Sequence, residues 1–129
     1  MCEKKHISTN KAPSAIGAYS QAVLINNFLF ISGQIPLVAL TMEIVGTDFN
    51  KQINQVFENI SNILAASGGT LSDIVKLNVY LKNLENFQQV NDSMNKYFKE
   101  PFPARAAVEV SRLPKDVEIE IDAIAYIKK

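Results

Sequence analysis

Residues 117 to 126 read VEIEIDAIAY, and the alternation in this stretch decides the fold class. Val117, Ile119, Ile121, Ala123 and Ala125 fall on one side of an extended chain, while Glu118, Glu120 and Asp122 fall on the other. A period of two describes a β-strand with one face in a core and the other outside it. A sheet of such strands needs an apolar layer over one face only, which helices with one wide apolar side can supply.

Two such helices can be read outward from this strand. From Asp48, the apolar residues Phe49, Ile53, Val56, Phe57, Ile60, Ile63 and Leu64 recur at three- and four-residue steps, and Gly68-Gly69 supplies a stop. A second helix is expected after Asn83, a capping residue. It puts Leu84, Phe87, Val90, Met94, Tyr97 and Phe98 on one side, and Pro101 bars its continuation. Residues 20 to 33, SQAVLINNFLFISG, are two apolar runs hinged at Asn26-Asn27, a pair that tolerates the left-handed geometry of a hairpin turn. Residues 74 to 81, IVKLNVYL, read as a half-buried strand, and residues 104 to 110 as another, followed by the turn RLPKD. The expected order is two strands, helix, strand, helix, two strands: an α+β sheet with both helices on one face, in a single domain spanning residues 1–129.

Composition narrows the chemistry. The 129 residues include 13 Lys plus Arg and 13 Asp plus Glu, so no net field draws the chain toward nucleic acid or an anionic membrane. The partner expected is a small molecule or another protein. Cys2 and His6 are the single cysteine and histidine, both beside an N-terminus read as mobile, so neither a metal site nor a Ser-His-Asp or Cys-His arrangement is expected. The five glycines sit at turns and not in a phosphate-binding cluster. The first dozen residues lack an apolar signal-peptide core and no later run is long enough to cross a bilayer, so the expected location is cytoplasmic.

Arginine is the informative side chain. There are two arginines against eleven lysines, so lysine carries nearly all routine surface charge. Arg105 lies in the apolar setting FPARAAV, where its planar fork could hold a carboxylate through two parallel hydrogen bonds. A structural ion pair with an acid of the final strand is the competing reading. Arg112 reads as a surface or subunit contact. Among the three acids of the final strand, one facing a cleft could orient or deprotonate a water, whereas a solvated outer face explains the same pattern. Asn91 falls inside the apolar stripe of the second helix, though one of twelve asparagines can land there by chance. Ser32-Gly33 ends a strand and lets the backbone approach a ligand.

Four stretches, NKAPSAIGAYSQAV at 10 to 23, ISGQIP at 31 to 36, DIVKLNVYLKNLENFQQVN at 73 to 91 and FPARAAVEVSRLPKDVEIEIDAIA at 102 to 125, carry a resemblance along nearly the whole chain. In order and spacing they resemble the reactive intermediate deaminase family, also called the YjgF family. The resemblance implies a chorismate-mutase-like α+β fold assembled as a homotrimer with clefts between subunits. It implies that Arg105 binds the substrate carboxylate, that Glu120 orients the attacking water, and that Tyr19, Ser32, Gly33 and Asn91 line the cleft. The reaction implied is hydrolysis of 2-iminobutanoate or 2-iminopropanoate to the keto acid and ammonia, with no cofactor. A non-catalytic ligand-binding trimer, or a translation inhibitor with ribonuclease activity, is the alternative that the same resemblance leaves open.

Three departures from the family pattern stand out. Ala107 occupies a position near the ligand where many relatives have cysteine. PLVALTMEIVG at 36 to 46 lacks the polar, glycine-containing turn usual there, which exposes or packs Leu37, Val38, Leu40 and Met42. The connection between Phe98 and Phe102 is also short, which bears on the cleft rim.

Overall fold

The computed structural model describes residues 3–128. Cys2 lies outside the described residues. Six strands form one mixed sheet: β1 (Lys5–Ile7), β2 (Ala22–Ile25), β3 (Phe28–Gln34), β4 (Ile74–Leu81), β5 (Ala104–Glu109) and β6 (Ile119–Tyr126). Their spatial order is β1-β2-β3-β6-β4-β5. All neighbours are antiparallel except β4 and β5, which run parallel. Helices α1 (Phe49–Ala66) and α2 (Phe87–Tyr97) form the connections from β3 to β4 and from β4 to β5.

The alternation in the final strand takes the expected form. Ile119, Ile121, Ala123 and Ala125 are buried and join Leu29, Ile31, Leu77, Val79 and Leu81 in one core with the apolar sides of both helices. Ile53, Val56, Phe57, Ile60, Ile63 and Leu64 supply most of the helical half. Each Val, Leu, Ile or Phe side chain so buried stabilises the fold by about 1.5–3 kcal/mol relative to exposure. Both helices therefore cover one face and leave the face bearing Asn78, Tyr80, Glu120 and Asp122 without a layer from this chain.

Local signals explain the element ends. The Asp48 carboxylate accepts the Lys51 N–H at 3.0 Å and caps α1, and Gly68 takes φ +83° just beyond its C-terminus. The β2–β3 hairpin turns on Asn26-Asn27, with Asn26 at φ 54°.

Four expectations change. Residues 5–7 are not a loose terminus: they pair with β2 as an edge strand, with His6 opposite Val23. Asn83 caps a single 3-10 turn, Leu84–Asn86, before α2 begins at Phe87. In consequence Leu84 and Phe87 stay exposed and do not join the core. The last strand starts at Ile119, where its pairing with Leu81 begins, although Val117 before it is already extended.

Residues 36–46 form a small lobe on the sheet margin. Leu37 pairs with Ile44, Leu37 is buried, and Leu40 at the tip is 93% exposed. Two buried amides of α1 fasten the lobe. Asn59 Nδ2 donates to the Leu37 carbonyl at 3.0 Å, and Gln52 Nε2 donates to the Gly46 carbonyl at 2.7 Å while its Oε1 accepts the Glu118 N–H at 2.8 Å.

Candidate functional site

Arg105 stands on the edge strand β5 opposite Leu77, on the helix-covered side of the sheet. Its Nη1 donates to Asn91 Oδ1 at 2.7 Å, and its guanidinium carbon lies 4.9 Å from the centre of the Phe87 ring. The attraction of a guanidinium to an aromatic face helps to fix the fork. Phe87 and Asn91 are four residues apart, so one side of α2 presents both to Arg105. Among the described residues no carboxylate lies within ion-pair distance of Arg105; the salt bridge present joins Arg112 to Asp116 at 2.9 Å on the surface. The competing reading, an internal ion pair with an acid of the final strand, is therefore not what the geometry contains. Asn91, Met94, Asn95, Phe102, Pro103 and Arg105 line an open groove at this edge. Ala107, one pleat further along β5, is half-buried against the core.

Glu120 lies on the other face. It follows Ile119 and precedes Ile121, both fully buried on the helix side, so its carboxylate turns outward over β3. There it closes on Gly33: a Cβ at residue 33 would collide with Glu120 Oε2. Only glycine admits the carboxylate at this point. β3 is irregular between Ile31 and Gln34, and this lets Ser32 and Gly33 drop out of simple alternation. Burial raises the Glu120 pKa above the ordinary glutamate value, and the negative charge of Asp122 on the same face raises it further. Asp122 is held by Asn78 Nδ2 at 2.8 Å and by the Tyr80 hydroxyl at 2.9 Å.

The segment bearing Tyr19 is tied to the sheet by a buried amide. Gln21 accepts the Thr9 N–H at 2.7 Å and donates to the carbonyls of Thr9 at 3.0 Å and Pro13 at 2.8 Å. The Ser32 hydroxyl donates to the Ser20 carbonyl at 2.6 Å, which fixes the chain immediately after Tyr19. Tyr19 itself is 53% exposed and shares a pocket with Gly33, Ile35, Leu37, Met42 and Pro114.

The residues picked out from sequence thus fall into two sets. Arg105, Asn91 and Ala107 sit at the β5 edge on the helix side, and Tyr19, Ser32, Gly33 and Glu120 sit on the uncovered side around β3. One chain does not bring the two sets together. Sequence reasoning missed Phe87 as the platform under Arg105, assigning it to the core; its i, i+4 spacing from Asn91 was the available signal. It also missed the buried amides of Gln21, Gln52 and Asn59, whose single substitutions into apolar patterns carry no periodic signature. Among the described residues no group of three or more His, Cys, Asp or Glu side chains could hold a metal ion, and no helix is long and apolar enough to cross a membrane.

A one-sided α+β sheet, a guanidinium without a carboxylate partner among the described residues and a half-buried carboxylate over a glycine make up the candidate site. The chain belongs to the family described as Endoribonuclease L-PSP, whose model matches residues 9–127. A RutC family protein of Pyrococcus abyssi is 54% identical over 123 residues, spanning 95% of this chain and 97% of its own. The 2-iminobutanoate/2-iminopropanoate deaminase of Dermatophagoides farinae is 41% identical over 128 residues, 99% of this chain and 100% of its own. Among solved structures, RidA of an Antarctic Psychrobacter matches with a TM-score of 0.92 at 48% identity, covering 95% of this chain and 99% of that one. TdcF of E. coli with bound serine matches with a TM-score of 0.90 at 40% identity, covering 96% and 99%.

Proposed function

We propose that this protein hydrolyses reactive 2-imino acids, with 2-iminobutanoate and 2-iminopropanoate as reference substrates, to 2-keto acids and ammonia. The observation that carries the proposal is Arg105, a half-buried guanidinium oriented by Asn91 and Phe87 with no carboxylate among the described residues within ion-pair distance. Such a fork is poised to hold a substrate carboxylate by two charge-assisted hydrogen bonds. The relative named as a deaminase and the relative that holds serine, a small amino acid with a carboxylate, both favour this chemistry.

The site is completed, on this reading, between copies of the chain. Arg105 and Glu120 lie on opposite faces of one sheet, and the face bearing Glu120 also exposes Phe28, Phe30 and Tyr126. A homotrimer would cover that face and set the Arg105 of one subunit beside the Glu120 of the next. Glu120 then accepts a proton from water as the oxygen adds to the imine carbon. Glu120 passes that proton to the nitrogen to give the carbinolamine, whose hydroxyl proton is then transferred to the nitrogen as the carbon–nitrogen bond breaks, so that ammonia leaves and the carbonyl forms. No electrons are exchanged, so the reaction needs no cofactor. Because imines hydrolyse unaided, positioning and one proton transfer, worth about 10²–10⁴-fold, suffice.

The test is a threonine dehydratase reaction supplied with the purified protein, following decay of the imine. A shortened imine lifetime at constant dehydratase rate is expected. Decay at the uncatalysed rate in the presence of folded protein overturns the proposal.

A further inference from the structure

The lobe at residues 36–46 contributes in an unusual way to the pocket that contains Tyr19 and Gly33. Met42 has φ 59°, a left-handed conformation that bulky L side chains avoid and glycine accepts freely. The conformation is imposed by the turn itself, in which the Met42 N–H donates to the Val38 carbonyl at 2.7 Å and the Val38 N–H to the Glu43 carbonyl at 2.8 Å. A glycine would satisfy this turn at lower cost. Methionine there brings one thing that glycine lacks, a long apolar side chain, and that side chain lines the pocket containing Tyr19 and Gly33.

The lobe holds Met42 in a defined place. Asn59 and Gln52, both buried on α1, clamp the carbonyls of Leu37 and Gly46 at its two ends. Leu37, Ile35 and Pro114 add apolar surface to the same pocket, which retains about 320 Å³ of space with Met42 in position. Gly33 abuts the Glu120 carboxylate and lines this pocket together with Met42, so on the proposed mechanism the side chain of a group reacting beside Glu120 turns toward that wall.

We infer that Met42 is a specificity-determining residue that favours 2-imino acids with apolar side chains of three or more carbons over 2-iminopropanoate. The inference rests on the deaminase reading and names its substrate class. Thioethers adapt to varied apolar shapes, which suits a wall that meets both branched and unbranched side chains. Each methylene brought out of water is worth about 0.8 kcal/mol, roughly fourfold in affinity.

The experiment is calorimetric titration of pyruvate, 2-ketobutyrate and 4-methyl-2-oxopentanoate into wild type, Met42→Gly, Met42→Asn and Met42→Leu, with imine lifetimes measured in parallel. Wild type is expected to bind 4-methyl-2-oxopentanoate at least about tenfold more tightly than pyruvate, in line with the methylene increment. Met42→Gly should fold at least as well and lose most of that preference while its pyruvate affinity holds. Met42→Asn, which also tolerates a left-handed backbone, should lose it too, and Met42→Leu should keep it. A ratio that is the same in wild type and Met42→Gly, or one that rises in Met42→Gly, overturns the inference. Wild type that binds no keto acid and leaves imine lifetimes unchanged overturns the deaminase reading itself, which separates the two failures.

Discussion

The Glu120 carboxylate occupies the space that a side chain on Gly33 would fill. A side chain at residue 33 and the observed position of Glu120 are mutually exclusive, so the glycine fixes where the carboxylate can be.

Gly33→Ala is therefore expected to act on activity far more than on folding. The colliding atom is the far end of a flexible side chain, which can swing away at little cost. On the proposed mechanism the carboxylate is then displaced from the attacking water, and a misplacement of about 1 Å can cost on the order of a hundredfold in rate. Thermal unfolding should shift little while imine turnover falls by about that factor. A variant that keeps full turnover would detach Glu120 from the chemistry.

The raised pKa of Glu120 gives a second test. Its first cause is burial and its second is the charge of Asp122. If the ionised carboxylate is the base, activity is lost as pH falls through this raised value, so the acid limb should lie above the ordinary glutamate range. Asp122→Asn keeps a carbonyl for Asn78 and removes the charge, and should move that limb toward lower pH. For stability the sign is opposite to that of a salt-bridged acid. A carboxylate with a raised folded value disfavours folding once ionised, so its contribution improves as pH falls from above the folded value to below the unfolded one. Glu120→Gln should accordingly melt higher than wild type at neutral pH, with the advantage shrinking on acidification through that window.

Gln52 offers a purely structural prediction. It satisfies the Gly46 carbonyl and the Glu118 N–H at once, linking the 36–46 lobe to the start of β6. Gln52→Ala removes two part-buried hydrogen bonds and should lower stability by about 1–3 kcal/mol, read from the midpoint of urea unfolding. The effect should be accompanied by faster amide exchange at Gly46 and Glu118.

What the sequence disclosed follows from which interactions are periodic. VEIEIDAIAY and the 48–66 helix were legible because their core contacts recur at fixed steps, so local order predicts the buried face. Neighbourhood across the sheet was not: alternation tells which side Leu77 and Arg105 face, but nothing in it says that β4 and β5 run parallel or that β6 inserts between β3 and β4. β1 escaped because Lys5, His6 and Ile7 are too few to show alternation, and their pairing is settled by the partner strand. At the site, Arg105 stood out by its rarity and setting, and Glu120 by its motif. Their placement on opposite faces depended on registers that only the folded sheet defines. Met42 was visible as an apolar residue in an unusual loop, whereas its left-handed backbone arises from hydrogen bonds within the turn.

The last prediction concerns Arg105, whose neighbours are a neutral amide and an aromatic ring, so the fork is oriented without being neutralised. Replacing one partner of a desolvated, charge-assisted pair typically costs about 2–5 kcal/mol. At tenfold per 1.4 kcal/mol this is roughly 30-fold to several thousand-fold in affinity. Arg105→Ala should weaken 2-ketobutyrate binding within this range. Arg105→Lys should recover little, because an ammonium keeps the charge and loses both the parallel pair of donors and the guanidinium contact with the Phe87 ring. Phe87→Leu should produce a smaller loss, near the 0.5–2 kcal/mol of a cation–π contact, since Asn91 continues to orient the fork. Calorimetric titration of 2-ketobutyrate into all four proteins, each checked for the same assembly state, resolves these steps. Equal affinity across the series would make Arg105 a structural residue and remove the observation on which the deaminase reading rests.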